Sequence, residues 1–327
     1  MRPVDYIKRA DHVLDRSMPF LTPIGVALGV LLPFVFISLR PHVYWLFGSM
    51  TLAGAIKLRA RDIGKAASSP LPLLLFFFVV RIVMPLMILF ISRLIFFNDP
   101  DVVSGYVLLY SVPIAVSSFV WVSIHRGNLA LALTLILVDT ILAPVVVPGT
   151  VRLLLGTSIN LNMTGMAISL CFMIVFPTIL GVSLNEFSRG AIPALINPWL
   201  SPFSKLCMPL VIAANSASVA PQVRLDNPRT WIIIAACISF STLAFICGKC
   251  IGLAGKFGRE KQISLFFTSG LRNTAAAMTL AIDFFPVSAG MPAVLGVMFQ
   301  QSVAAVMGRI FLGKIGKDNA KARGETV

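Results

Sequence analysis

The chain predicts an all-α polytopic membrane protein of about ten transmembrane helices, each near the roughly 20 residues that a bilayer core requires. Three observations predict it. Of its 327 residues, 57% are hydrophobic and 12% charged, and the mean hydropathy is +0.90, outside the range of soluble enzymes. The apolar runs are continuous and do not alternate in ~10-residue segments, which favours helices over a β-barrel. The basic residues gather in alternate loops, as membrane insertion demands.

Taken in order, Val4 to Arg16 is polar and amphipathic and no small-residue cleavage pattern follows it, so residues 1–18 read as a retained cytoplasmic segment. Predicted spans then cover 19–38, 42–57, 70–94, 103–124, 128–148, 163–184, 205–221, 230–252, 262–284 and 291–311. Basic flanks separate them on one side: Lys57 to Lys65 after the second, Arg126 after the fourth, Arg189 and Lys205 before the seventh, and Lys249 to Lys261 between the eighth and ninth. A basic tail, 313–327, closes the chain. Twenty Lys and Arg lie on this side and five, Arg40, Arg93, Arg152, Arg224 and Arg229, on the other. That bias puts both termini in the cytoplasm of a multi-pass protein of the cell (inner) membrane, and it accounts for the net charge of +14 without nucleic acid. Cys171, Cys207, Cys237, Cys247 and Cys250 all fall in spans, so no disulfide framework is implied. Cys247-Gly-Lys-Cys250 has no second pair or nearby histidine, and no metal or cofactor is expected.

Two basic residues remain inside spans, Arg81 and Arg272. A charge at membrane depth costs about 2.5–3.5 kcal/mol on insertion scales and faces a partner, a cavity or a substrate route. Arg272 sits in Thr268-Ser-Gly-Leu-Arg-Asn-Thr274, a polar interruption of the ninth span. The fourth span has a matching interruption at Ser111-Val-Pro-Ile-Ala-Val-Ser-Ser118, where Pro113 lacks an N–H and hydroxyl residues can cover freed carbonyls. The spans divide at 160 into two sets of five, 19–160 and 161–312, each broken in its fourth member. An odd number per set inverts one against the other, and paired broken helices at the midplane point to a carrier's binding site. The competing reading is a pair of ordinary kinks.

Five stretches carry a further signal: Phe47-Gly-Ser-Met-Thr-Leu-Ala-Gly-Ala-Ile-Lys57 with its loop to Asp62; Met84-Pro85-Leu86; Pro113 through Arg126-Gly-Asn128 to Leu131, followed by Ala143-Pro144 and Pro148; Gly270-Leu-Arg-Asn273; and Pro292 to Gln301. In order and spacing they resemble the bile acid:sodium symporter family and its bacterial relatives over most of the chain. The resemblance implies a panel domain and a core domain, with the crossing fourth and ninth helices in the core and substrate between the two. It also implies organic anions as cargo, such as bile acids, pantoate and other carboxylates or sulfonates, usually carried with sodium.

The sequence departs from that family where sodium would bind. Ser118 matches a family serine, but the next position, an asparagine in sodium-dependent members, is Phe119, and two hydroxyl positions are Ala132 and Ile136. The family's ligating glutamate is Thr268, the glutamine before the crossover asparagine is Arg272, and another glutamine position, beside Arg81, is Val80. The physical reading is that the Arg272 guanidinium replaces the bound cation and donates to helix-break carbonyls. Asp139, in the fifth span, then either pairs with Arg272 or carries a proton. Arg81 meets the anion, Asp139 or backbone carbonyls. Asn273, Gln300 and Gln301, with Ser117 and Ser118, are the candidate neutral substrate contacts, or else interhelical hydrogen-bond partners. Asp283, before Pro286, reads as an interfacial carboxylate outside the site.

The function expected is secondary transport of a small organic anion by alternating access, sodium-independent, with no enzyme activity. The alternatives are a sodium- or proton-coupled symporter of bile-acid-like or pantoate-like anions, an arsenite-type efflux carrier and a membrane ligand sensor. Phe119-Val-Trp121 is similar to arsenite carriers, yet the fourth span lacks the cysteine their chemistry uses. The chain has no HExxH and no Gly-x-Ser-x-Gly.

Overall fold

Helices and turns make up the computed structural model, which describes residue 14 and residues 20–58, 70–156 and 161–312; among these there is no strand. Most of the amphipathic start, the basic loop residues Arg59 to Lys65, the seam at 160 and the basic tail lie outside the described residues. Helix α1 (Phe20–Leu31) meets Pro33–Ala55 at a bend of 100°. There Pro33 opens a short turn, and Ile37–His42 winds as a 3-10 segment into α2 (Val43–Ala55). The chain continues through α3 (Pro70–Ile95), α4 (Pro100–Ser111), α5 (Ser117–Ile124), α6 (Leu129–Leu155), α7 (Met163–Phe187), α8 (Ala191–Val219), α9 (Pro228–Ala254), α10 (Arg259–Gly270), α11 (Thr274–Phe284) and α12 (Met291–Leu312). Six of these, α3, α6, α7, α8, α9 and α12, are long and apolar enough to cross a membrane, and the bent pair α1–α2 makes a seventh if it is one span. The fourth and ninth predicted spans are each two shorter helices about a break, α4 with α5 and α10 with α11.

Local chemistry sets the ends and irregularities of these helices. Asn128, Asn162 and Asn273 each accept a hydrogen bond from the backbone N–H three residues on, capping α6, α7 and α11. Asp99 and Asn227 cap α4 and α9, each followed by a proline that needs no N–H partner there. Within α3 and α7, one π turn each, Val79–Val83 and Cys171–Val175, comes just before Pro85 and Pro177. Proline cannot bond the carbonyl four residues back, and the helix widens so that Met84 N–H reaches Val79 O, five back. The seventh predicted span, 205–221, begins too late: α8 starts at Ala191 and passes through Pro198, Pro202 and Pro209. Prolines are tolerated inside membrane helices because neighbouring groups cover the freed carbonyls. Lys205, read as a loop flank, is consequently a buried residue within α8.

Two packing groups follow. In the first, α2 lies against α7 and α8, and α1 lies close on α8. Gly25 and Gly29, one turn apart, permit that approach: a Cβ on Gly29 would stand 2.3 Å from the Ala213 carbonyl oxygen. This is small-residue packing of membrane helices. In the second group α9 packs on α10 and α12, and α4 on α3, α6 and α12. Large apolar side chains also face outward, among them Phe187, Leu153 and Trp45, the distribution expected where lipid is the solvent.

Candidate functional site

The α4–α5 and α10–α11 breaks cross and pair with each other. Ala115 N–H donates to Leu271 O at 3.1 Å and Asn273 N–H to Pro113 O at 2.9 Å, an isolated antiparallel bridge centred on Ile114 and Arg272. Extended backbone at membrane depth must find such partners, since no water is there to supply them.

The polar groups left over by each break are met by side chains. At the first, Arg81 Nη1 donates to Ser111 O, and Ile114 N–H donates to Asp139 Oδ2 at 2.8 Å. Asp139 Oδ1 also accepts from Arg81 Nε at 2.7 Å and from Nη2, completing a salt bridge in which the carboxylate is fully buried. The π turn of α3 contains Arg81 and so contributes to its aim. At the second break, Gln300 Nε2 donates to Arg272 O at 2.8 Å, and Arg272 Nη2 donates to Ser269 O at 3.2 Å. Arg272 is 2% exposed, and its Nε and Nη1 have no hydrogen-bond partner among the described residues. Its Nη2 also lies 3.4 Å from Met84 Sδ.

Asp139 therefore pairs with Arg81 and not with Arg272. Arg272 does meet a helix-break carbonyl. Among the described residues the crossing holds two guanidinium groups against one carboxylate, and that carboxylate is spent on Arg81. An arginine buried without a counter-charge is expensive unless a ligand or water completes it.

A cavity of about 180 Å³ opens on the crossing between the two packing groups. Ser117, Arg272, Asn273, Gln300 and Gln301 line one wall, and Thr22, Phe47, Met50, Thr51, Met208 and Ile212 from α1, α2 and α8 line the other. Five predicted site residues thus share one cavity, and four do not line it. Arg81 and Asp139 lie behind the first break. Ser118 is buried with its hydroxyl unpartnered among the described residues, and Thr268 turns its hydroxyl back to Ser264 O of its own helix at 2.7 Å. Gln301 is held between Trp121 Nε1, at 2.8 Å, and Ser117 Oγ, at 3.4 Å. Asn273 uses its side-chain oxygen to cap α11, leaving its amide nitrogen as the cavity-side donor. Arg272 also lines a cavity of about 20 Å³ with Tyr110, Ser241 and Gly270, room for about one water.

The apolar wall and Trp121 were not anticipated, and the sequence offers little signal for them: an apolar side chain facing a cavity has the same pattern as one facing lipid. Where a cation would be sought, Phe119 packs on an apolar cluster that includes Ala132, Val122 and Leu271, and Ile136 is buried. Among the described residues no three His, Cys, Asp or Glu converge as metal ligands. The arrangement suits a small amphipathic molecule, its polar end toward Arg272, Asn273 and Gln300 and its apolar body toward Phe47, Met50 and Met208.

Residues 44–224 match the family model described as the Sodium Bile acid symporter family. The chain is 38% identical over 291 residues to YbaS of Bacillus subtilis (strain 168), covering 89% of this chain and 95% of that protein. It is 28% identical over 254 residues to the probable sodium/metabolite cotransporter BASS3, chloroplastic, of Oryza sativa subsp. japonica, covering 77% of this chain and 59% of the rice protein. To the probable sodium/metabolite cotransporter BASS1, chloroplastic, of Arabidopsis thaliana it is 21% identical over 285 residues, covering 86% and 69%.

Proposed function

The chain belongs to the sodium bile acid symporter family, a family of multi-pass membrane transporters, and from that premise we propose that it carries a small organic anion, a carboxylate or sulfonate, by alternating access without bound sodium. The observation that carries this reading is Arg272: buried at the crossing of two helix breaks, lining the cavity, and without a carboxylate of its own among the described residues. An anion in the cavity balances that charge, and in its absence the guanidinium holds the Ser269 carbonyl as a bound cation would. Asn273 and Gln300 supply neutral donors and acceptors beside it, Gln301 and Ser117 the rim, and Arg81 and Asp139 brace the first break.

The architecture that serves this function is ten helices in two inverted five-helix repeats, 19–160 and 161–312, with α4–α5 and α10–α11 as the crossing helices. A panel of α1, α2, α7 and α8 then rocks against a core of the remaining helices. The antiparallel pairing of the two breaks supports it. The bias of basic residues supports cytoplasmic termini in a bacterial inner membrane.

Sodium coupling is the second reading. It is favoured by the cotransporter names of the plant relatives and by the unpartnered Ser118 hydroxyl at the first break, an oxygen available to a cation. Proton coupling through Asp139 is less favoured, because both carboxylate oxygens already accept hydrogen bonds. Uptake of a mixed pool of carboxylates and sulfonates into proteoliposomes, with sodium and proton gradients imposed separately, decides between them. Uptake indifferent to sodium is the expected result; no uptake of any such anion would sink the cargo assignment.

A further inference from the structure

About one turn beyond the cavity, three of the helices that line it carry a polar cluster. Tyr44 precedes Phe47 on α2, Asn215 follows Ile212 on α8, and Thr279 follows Ala275 on α11, and in each case the second residue of the pair lines the cavity. Arg40, on the 3-10 segment leading into α2, lies at the centre of the cluster. It forms a salt bridge with Asp283 of α11, donates Nη1 to Asn215 Oδ1 at 2.9 Å and reaches Thr279 O with Nη2 at 3.4 Å. Tyr44 donates its hydroxyl to the other oxygen of Asp283, and Asn215 Nδ2 donates to Thr279 Oγ1 at 3.0 Å. Ser169 of α7 adds a bond to the Tyr44 hydroxyl at 3.1 Å.

We propose that this Arg40–Asp283 cluster is the gate that seals the cavity on its own face of the membrane, and that it must break each time the cavity opens to that face. Four of its bonds join a helix of the α1, α2, α7, α8 group to α11 of the other group, so they cannot survive a separation of the two groups there. The pair is only part-buried, with side-chain exposures of 16% and 27%, so water can take over both charges when it parts. A fully buried pair would have no such exchange, and breaking it would be far costlier. By the bias of basic residues, Arg40 lies on the face away from the cytoplasm. Arg40 and Asp283 are positioning residues: neither lines the cavity.

The proposal rests on the alternating-access reading, and thiol labelling tests it without a substrate. In a chain with its five cysteines replaced, Ser117→Cys puts one thiol in the cavity wall. A membrane-impermeant maleimide is applied to either face of vesicles of known orientation. Labelling from the face that carries Arg40 is expected to be slow in this background. Arg40→Ala or Asp283→Ala should raise it about fivefold, the shift that losing a pair of about 1 kcal/mol gives. Arg40→Lys should keep most of the protection, and Asp283→Asn, checked for a monodisperse fold, covers the case in which an alanine variant misfolds. Labelling from that face unchanged by every variant overturns the gate, as does Arg40→Lys behaving like Arg40→Ala. Failure of all anion uptake in the separate transport assay would instead remove the carrier reading and leave the labelling result standing.

Discussion

At the α4–α5 break the freed Ser111 carbonyl and Ile114 N–H are met by Arg81 and Asp139, an ion pair that cancels its own charge; at the α10–α11 break the Ser269 and Arg272 carbonyls are met by Arg272 and Gln300, and one positive charge is left over. The two breaks pair with each other through backbone, so they share one geometric task. They differ in what they offer a ligand. Both line the cavity, the neutralised break through Ala115, Val116 and Ser117, but only the other brings a charge to it.

That difference can be broken at either end. Asp139→Ala strands Arg81 beside a bare helix end and should cost about 3–5 kcal/mol, the range for half of a buried pair. Thermal unfolding in detergent is the measurement, and a loss below about 1 kcal/mol would mean that the pair does not brace the break. Gln300→Leu removes one donor from the Arg272 carbonyl, which still accepts from Thr274 N–H at 2.8 Å. It should cost about 0.5–1.5 kcal/mol in the same assay, the net worth of one hydrogen bond whose acceptor keeps another donor. Thr268→Val should be the mildest, below about 1 kcal/mol, because its hydroxyl bonds only carbonyls of its own helix. A large transport defect in folded Thr268→Val would show that this position still has the role of the family's ligating glutamate.

Both breaks were legible in the sequence because Pro113 and Gly270-Leu-Arg-Asn273 interrupt apolar runs with residues a membrane helix does not otherwise need. Residues 112–116 and Leu271 to Asn273 fall inside the predicted interruptions. Ser117, Arg272 and Asn273, which line the cavity, came with them, since polar groups near a break are conspicuous in an apolar chain; Gln300 and Gln301, on α12, came from the family resemblance. The partner of Asp139 was not legible between two candidate arginines, because pairing depends on distance and on the π turn that holds Arg81. Nor was the length of α8, where three prolines hide a helix that tertiary contacts sustain. Asp283 looked interfacial from its place near a proline; only the fold brings Arg40 and Tyr44 to it across the sequence.

The most direct test of the central claim is anion uptake by the intact chain and by Arg272→Gln, each with and without sodium. Removing the unpaired guanidinium should leave folding intact within about 1 kcal/mol, because no carboxylate loses its partner. Uptake by the intact chain should be the same in both buffers, and uptake by Arg272→Gln should fall at least about tenfold without sodium rescuing it, a loss of about 1.4 kcal/mol in the coupling of charge to cargo. Uptake by the intact chain that collapses without sodium would contradict the claim, and would make Arg272 a structural clamp on Ser269.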